Sequence, residues 1–433
     1  MAKKYLKAVA AIFFSLLFSF GPLGAEEYAL RDAAECTERD GLPNVFKKLE
    51  AGQNVKIAYL GGSITAQPGW RPFTLSWFKE QYPQAKVEEI NAAIGGTGSG
   101  LGVFRLQYDV IQHHPDLLFV EFAVNDGGQP PHSIHCSMEG IVRQTWKANP
   151  EADICYVYTL TEGMLQDLQS GKFPRAASAM EELADHYGIP SIHMGVEVAR
   201  LEKEGRVLFK AKKPETEEEK AAPEDKIIFS SDGVHPHPET GHKLYLEAVI
   251  RSMEKIKSVG RAGPHERKDP FVEDNWEDAC MLPLQEAHLE GDWEKLSPEA
   301  DGLAKRFGTR LPDLWVARTP GSGLSFRFKG CLAGVYDLLG PDCGQVIVRI
   351  DDREPQVRAR IDGYCTYHRL AMMTLASDLS DQLHTVDVKI HSEEPDKRNI
   401  LHEHRRHDMD EHPEKYEGTS WYAGAIMLIG DLE

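Results

Sequence analysis

The sequence predicts two domains, an α/β domain on a parallel sheet followed by an all-β sandwich, and three observations carry that prediction. The chain has 433 residues, more than one hydrophobic core ordinarily organises. From about residue 55 to 257, short apolar runs alternate with stretches of helical period, as a parallel sheet with helices on both faces requires. Beyond residue 264 that period fades, and strand-length runs separated by Gly, Pro and Asp turns take over, the pattern of a sandwich or jelly roll.

The first 25 residues stand apart. Lys3, Lys4 and Lys7 precede an apolar run over 8–20 that is short for a bilayer span, and Leu23-Gly24-Ala25 offers small residues before a cut. This predicts a signal peptide over 1–25, a first domain over 26–262 and a second over 263–433. The mature chain is then secreted or periplasmic, with no membrane insertion after cleavage. Ala25 is followed directly by Glu26 and not by a cysteine, so a lipoprotein cut is not supported.

In the first domain, strands are predicted over 55–60, 87–91, 117–122, 154–158 and 191–194. Helices are predicted over 73–81, 103–113, 136–149, 174–186 and 238–256. The segment "KAKKPETEEEKAAPEDK", 210–226, has the charge density of a solvated loop or lid. In the second domain the runs "GLSFRFKG", "GQVIVRIDD", "HRLAMMTLA", "HTVDVKIHS" and "GAIMLIG" are the candidate strands. The histidine-rich stretch "LHEHRRHDMDEHPEK" from Leu401 lacks the spacing of a defined metal site and is read as a solvated loop.

Hydrophobic residues make up 41% of the chain and charged residues 27%, so it folds rather than remaining disordered. Loss of Lys3, Lys4 and Lys7 takes the formal charge from −19 to about −22, which argues against nucleic acid or an anionic membrane as partner. The seven cysteines show no CxxC spacing of a metal site. An exported chain permits disulfides, and Cys331 with Cys343 or Cys365 would bridge within one domain, yet an odd count leaves one thiol over.

Ligands of open α/β sheets bind beyond the carboxyl ends of the strands, and four segments carry suitable chemistry there. They are Gly61-Gly62-Ser63, "NAAIGGTGSG" from Asn91, "VEFAVND" ending at Asn125-Asp126, and "SSDGVHPHPETGH" from Ser230. A serine hydroxyl becomes nucleophilic when an imidazole takes its proton, and a carboxylate on the other ring nitrogen holds the imidazole in register. Ser63, His235 and Asp232 supply those three groups. The oxyanion needs fixed donors, which the Ser63 and Gly96 backbone N–H groups and the Asn125 amide supply. Gly98 competes with Gly96 in the same loop.

These segments resemble the blocks of the SGNH or GDSL hydrolases. The first block stands as Gly61-Gly62-Ser63-Ile64-Thr65, with glycine where the family usually has aspartate; the second as Asn91 and Gly96; the third as Ala123-Val124-Asn125-Asp126; and the fifth as Asp232-Gly233-Val234-His235-Pro236. The four occur in order over the first domain alone. The resemblance implies a three-layer, flavodoxin-like hydrolase domain with Ser63, Asp232 and His235 as catalytic residues and Ser63, Gly96 and Asn125 as the oxyanion hole. It implies no metal and no organic cofactor. The replacement of aspartate by Gly62 removes no catalytic group and bears only on the local turn.

Taken alone, each residue has a plainer role: Ser63 a helix N-cap, Asn125 a turn residue, Asp232 a loop cap. Trp70 and Arg71 follow the nucleophile closely and are candidate substrate-binding residues, with a core position the competing reading for Trp70. Arg105 is read as a surface ion pair, and His237 and His242 as a turn and a helix surface. An acidic, exported member with a sandwich attached is similar to the family's carbohydrate esterases, which makes an acylated carbohydrate the expected substrate and acetyl the expected acyl group. A lipase, lysophospholipase or thioesterase of the same family, or a non-catalytic glycan-binding protein, are the alternatives.

Overall fold

A computed structural model describes residues 28–212, 226–311 and 313–433. The predicted signal peptide and all but the ends of the charged segment lie outside them. The first domain is a six-stranded sheet of β1 (Cys36–Thr37), β2 (Val55–Gly61), β3 (Val87–Ala93), β4 (Leu117–Glu121), β5 (Asp153–Tyr158) and β6 (Ser191–His193). Its order is β1-β6-β5-β4-β2-β3, parallel throughout except for the short edge strand β1. Leaving out β1, this is the flavodoxin-like order, and the chain reverses direction of travel between β2 and β4. The crevice for a ligand therefore opens at the carboxyl ends of those two strands, where Ser63 and Asn125 follow.

β2, β4 and β5 are apolar almost throughout, because helices cover both faces of the sheet. One face packs Phe46, Phe78, Val249 and Ile256 from α1 (Pro43–Glu50), α3 (Trp70–Gln81) and the closing helix Gly241–Ile256. The other packs Phe104, Ile141 and Leu183 from α4 (Ser99–Asp109), α5 (Pro131–Ala148) and α7 (Arg175–Tyr187). Between β2 and α3 lies α2 (Ser63–Ala66), and between β5 and α7 a short α6 (Leu165–Gln169). Every predicted strand and helix of this domain is present, with ends shifted by a few residues.

The second domain is an antiparallel sheet that folds over on itself around Leu324, Phe328, Val335, Val348, Val388 and Ile426. Its long strand Gly323–Leu339 pairs with Gln382–Ile390 along its first half and with Arg369–Ala376 along its second. A partner strand, Trp421–Leu432, runs beside that second half. The sandwich expected from the alternating runs is thus one continuous sheet whose central strand serves both layers. The linker lies flat on α5: Glu139 accepts the Phe271 and Val272 backbone N–H groups at 2.6 and 2.9 Å, and Trp276 donates its own to Cys136 at 3.0 Å. One hydrophobic cluster runs from Phe104 and Ile141 through to Tyr336, Leu338 and Met427, so the two domains share a core.

Three expectations need correction here. The stretch from Leu401 is helical, with Arg406–Glu411 an α-helix between two 3-10 turns. It is anchored by a small core of Ile361, Cys365, Leu401 and Tyr416, and by buried Lys397, whose Nζ donates to the Tyr416 and Gly418 carbonyls. All seven cysteines are free thiols, so neither pairing of Cys331 is formed. Arg105 is buried, not superficial, and bonds Asp109 and the Ala92 carbonyl.

Candidate active site

β2 delivers the serine. The strand ends at Gly61, Gly62 precedes the helix, and Ser63 is the first residue of α2, with no side-chain capping bond. The plain N-cap role is therefore not the one it plays. Its Oγ lies 2.9 Å from Nε2 of His235, and Nδ1 of that ring lies 2.7 Å from Asp232 Oδ2. The other oxygen of Asp232 accepts from Ser230 Oγ and from the Val234 and His235 backbone N–H groups at 2.8 to 2.9 Å. Burial pushes the Asp232 pKa up, but the bonds from the His235 ring, the two backbone N–H groups and Ser230 outweigh it and hold the carboxyl well below its usual range. An ionised carboxylate on Nδ1 leaves Nε2 as the nitrogen that faces the serine hydroxyl, the arrangement that activates a serine.

Two backbone features shape the other side of Ser63. Gly96 has φ +74, a left-handed conformation that glycine adopts without strain. Gly95 packs on Ser63, a Cβ built there lying 3.6 Å from the serine Cβ. Gly62 is needed for space alone, since its φ is an ordinary −91. A Cβ on it would stand 2.0 Å from Asn125 Oδ1. The Asn125 amide thus lies directly over the residue before the serine, and the lack of a side chain at Gly62 makes room for it.

Two buried carboxylates brace this ground. Glu121, the last residue of β4, accepts from Thr65 Oγ1 at 2.9 Å, Thr159 Oγ1 at 2.8 Å and the Gly62 backbone N–H, while burial pushes its pKa up. Asp126 accepts the Ser99 backbone N–H at 3.1 Å and so ties the start of α4 to the Asn125 turn. Burial raises its pKa to about 6 against the opposing bonds from Ser99. A carboxylate closing an otherwise apolar strand was the sequence signal for Glu121; Asp126 was visible in the third block, without a role.

Gly96 and Asn125 open on a cavity of about 420 Å³. Its floor is the 96–101 loop with Gln129, Ser133 and Ser137; its roof is Leu339, Arg369, Leu370 and Met372 of the second domain, with Trp276 of the linker at the side. Trp70 and Arg71 are not part of it. Trp70 is fully buried against Tyr59 and Phe119, and Arg71 donates from Nε to the Thr65 carbonyl at 2.9 Å and pairs with Glu89. Arg71 thereby fixes the helix that bears Ser63 from behind. His242 is likewise buried, accepting the Trp70 backbone N–H at Nδ1, whereas His237 sits in a turn with Nε2 3.1 Å from Ser231 Oγ. Gly98 is the N-cap of α4 and faces Asp126. Two groups among the described residues have metal-ligand spacing, His132 with Cys136 and Asp274, and Asp342 with Cys343 and His368; neither contains Ser63 or His235.

Residues 59–244 match the family model of the GDSL-like Lipase/Acylhydrolase family. Over 96 residues, 20% of this chain and 46% of the relative, the sequence is 34% identical to an arylesterase of Vibrio mimicus, so the match spans about half the length of that protein. The whole architecture is similar to that of a two-domain esterase (CEX) active on acetylated mannans, solved with mannopentaose, at a TM-score of 0.69 and 21% identity over 92% of this chain and 97% of the other. A second structure of the same two-domain esterase gives a TM-score of 0.68 at 20% identity, over the same shares. Over residues 59–244 the α/β domain of this chain is therefore similar to the GDSL-like Lipase/Acylhydrolase family.

Proposed function

We propose that the chain is an exported serine esterase that removes acetyl or another short acyl group from a polysaccharide or oligosaccharide. The observation that carries the reading is the contact of Ser63 Oγ with His235 Nε2, made beside a cavity that both domains enclose. In the reaction, His235 takes the proton of Ser63 as Oγ bonds to the ester carbonyl carbon. The Ser63 and Gly96 N–H groups and the Asn125 amide hold the oxyanion. The bond from carbon to the sugar oxygen then breaks, and His235 returns the proton to the leaving alkoxide. Water repeats the sequence on the acyl-serine and releases the carboxylic acid.

The choice of a carbohydrate rests on the cavity and on the likeness in architecture. Gln129, Ser133 and Thr374, with the Asn125 amide and Arg369, give it polar walls that suit a sugar better than a long acyl chain. The relative solved with mannopentaose has the same pair of domains. Residues 1–25 have the pattern of an export signal, which would bring the enzyme to extracellular or periplasmic polysaccharide. Among the described residues no helix is long and apolar enough to cross a membrane.

Acetate release from a panel of acetylated polysaccharides, with Ser63→Ala beside the native chain, tests the reading. The expected loss in the variant is about a thousandfold or more. Equal release by both proteins would remove Ser63 from the mechanism, and cleavage of long-chain esters alone would overturn the substrate class.

A further inference from the structure

The roof of the cavity carries an arginine that the fold does not fully use. Arg369 opens the strand Arg369–Ala376 of the second domain, and its single ionic partner among the described residues is Asp362 through Nη2. Its Nη1 lies 3.5 Å from the point where a Cβ on Gly96 would stand, so the guanidinium reaches across the domain boundary to the loop that faces Ser63. Its Nε is buried and has no hydrogen-bond partner among the described residues. An unmatched buried donor is costly in a fold, and here it belongs to a guanidinium that also lines the cavity.

The surroundings hold that guanidinium in place. The ring of Tyr364 lies 5.5 Å from the Arg369 guanidinium carbon and 5.4 Å from that of Arg405. Burial first, and then the like charge of Arg405, lowers the pKa of Arg369. Tyr364 itself is 49% exposed, one of few large side chains so placed. An arginine fork held by its neighbours loses little freedom on binding and matches two adjacent oxygens of one ligand.

We propose that Arg369 and Tyr364 form a saccharide subsite contributed by the second domain. The fork binds two neighbouring oxygens on the sugar that carries the ester, and the exposed tyrosine contacts the sugar next along the chain. The proposal rests on the esterase reading above. An acyl group held at Ser63 Oγ and the Gly96 N–H leaves its sugar in the cavity beside Gly96, the residue that Nη1 approaches from the second domain. The paired oxygens are those of vicinal hydroxyls or of a uronate carboxylate.

The test compares kcat/KM on acetylated cellotetraose, an acetylated oligogalacturonide and para-nitrophenyl acetate for the native chain, Arg369→Ala, Arg369→Lys and Tyr364→Ala. The subsite predicts that the ratio of oligosaccharide to aryl-ester kcat/KM falls about tenfold or more in Arg369→Ala, chiefly through KM, and recovers in part in Arg369→Lys. Greater loss on cellotetraose assigns the fork to hydroxyls, and greater loss on the galacturonide assigns it to the carboxylate. Equal losses on all three substrates, or none, overturn the subsite. Tyr364→Ala, at an exposed position, gives the same comparison should Arg369→Ala fail to fold. A native chain inactive on every ester, or a Ser63→Ala chain as active as the native one, would instead refute the esterase reading, an outcome readable without any Arg369 variant.

Discussion

His235 Nε2 stands 2.9 Å from Ser63 Oγ across 172 positions of sequence, while its Nδ1 stands 2.7 Å from Asp232, three positions away. The aspartate serves two ends: one oxygen sets the ring, and the other closes the loop through the Val234 and His235 N–H groups. Asp232→Asn keeps a carbonyl oxygen for the loop and loses the charge that selects the ring tautomer. The expected result is a native circular-dichroism spectrum with kcat lowered by about two to four orders of magnitude, the lower end reflecting the exposure of Asp232. Full kcat in this variant would assign the orientation of His235 to another group.

Gly62 gives a sharper geometric prediction. A Cβ there would overlap Asn125 Oδ1 at 2.0 Å, and the side-chain amide is the softer partner to move. Gly62→Ala should displace the amide and lower kcat about a hundredfold, the effect of losing one oxyanion donor. Gly62→Asp, which restores the residue common in the family's first block, should be worse, because it adds bulk where Asn125 already lies. A Gly62→Asp chain with native kcat would mean that the amide plays no part.

How much of this the sequence revealed depends on how local each cause is. Strands β2, β4 and β5 were legible because each is a short, largely apolar run that ends at glycine or polar residues, and the motif residues follow their ends by the rule for open α/β sheets. Trp70 and Arg71 were candidates because they follow Ser63 closely, but proximity in sequence does not fix which way the start of α3 faces: Trp70 takes the core position that was its competing reading, and Arg71 turns to the Thr65 carbonyl. Gly62 was read as a turn residue, whereas its constraint comes from Asn125 on the neighbouring strand end. The polar composition of 397–416 hid a helical insert that buries Lys397, Leu401 and Tyr416. Arg369 was invisible for the same kind of reason: only the packing of one domain on the other brings it to Gly96.

Glu121 should matter to both stability and rate. It receives bonds from Gly62 and Thr65, the residues on either side of the nucleophile segment, and from Thr159 on the next strand end. Glu121→Gln sets an NH2 group against at least one of these donors, leaving a buried group unmatched, and should lower stability by about 1–3 kcal/mol in urea unfolding. Because the Ser63 turn loosens with it, kcat should fall as well. A variant with lower stability and unchanged kcat would confine Glu121 to the core.

Asp126 predicts a pH dependence of stability with a definite sign. Its folded-state pKa is raised to about 6 by burial, against roughly 3.9 in the unfolded chain. Between those values the folded state binds more protons than the unfolded one, so this group makes the protein more stable as pH falls from about 6 towards 4. Above that window the ionised carboxylate is a constant burden. Asp337, raised to about 6 by burial against its pairing with Arg360, acts in the same sense, so the comparison must be made by difference. Asp126→Asn keeps an acceptor for the Ser99 N–H and cannot titrate. The thermal midpoint of the native chain minus that of the variant should therefore rise as pH is lowered from about 7 to 4.5. A difference that stays flat across this range would mean that Asp126 titrates as an ordinary carboxylate and that its bond to Ser99 fully offsets its burial.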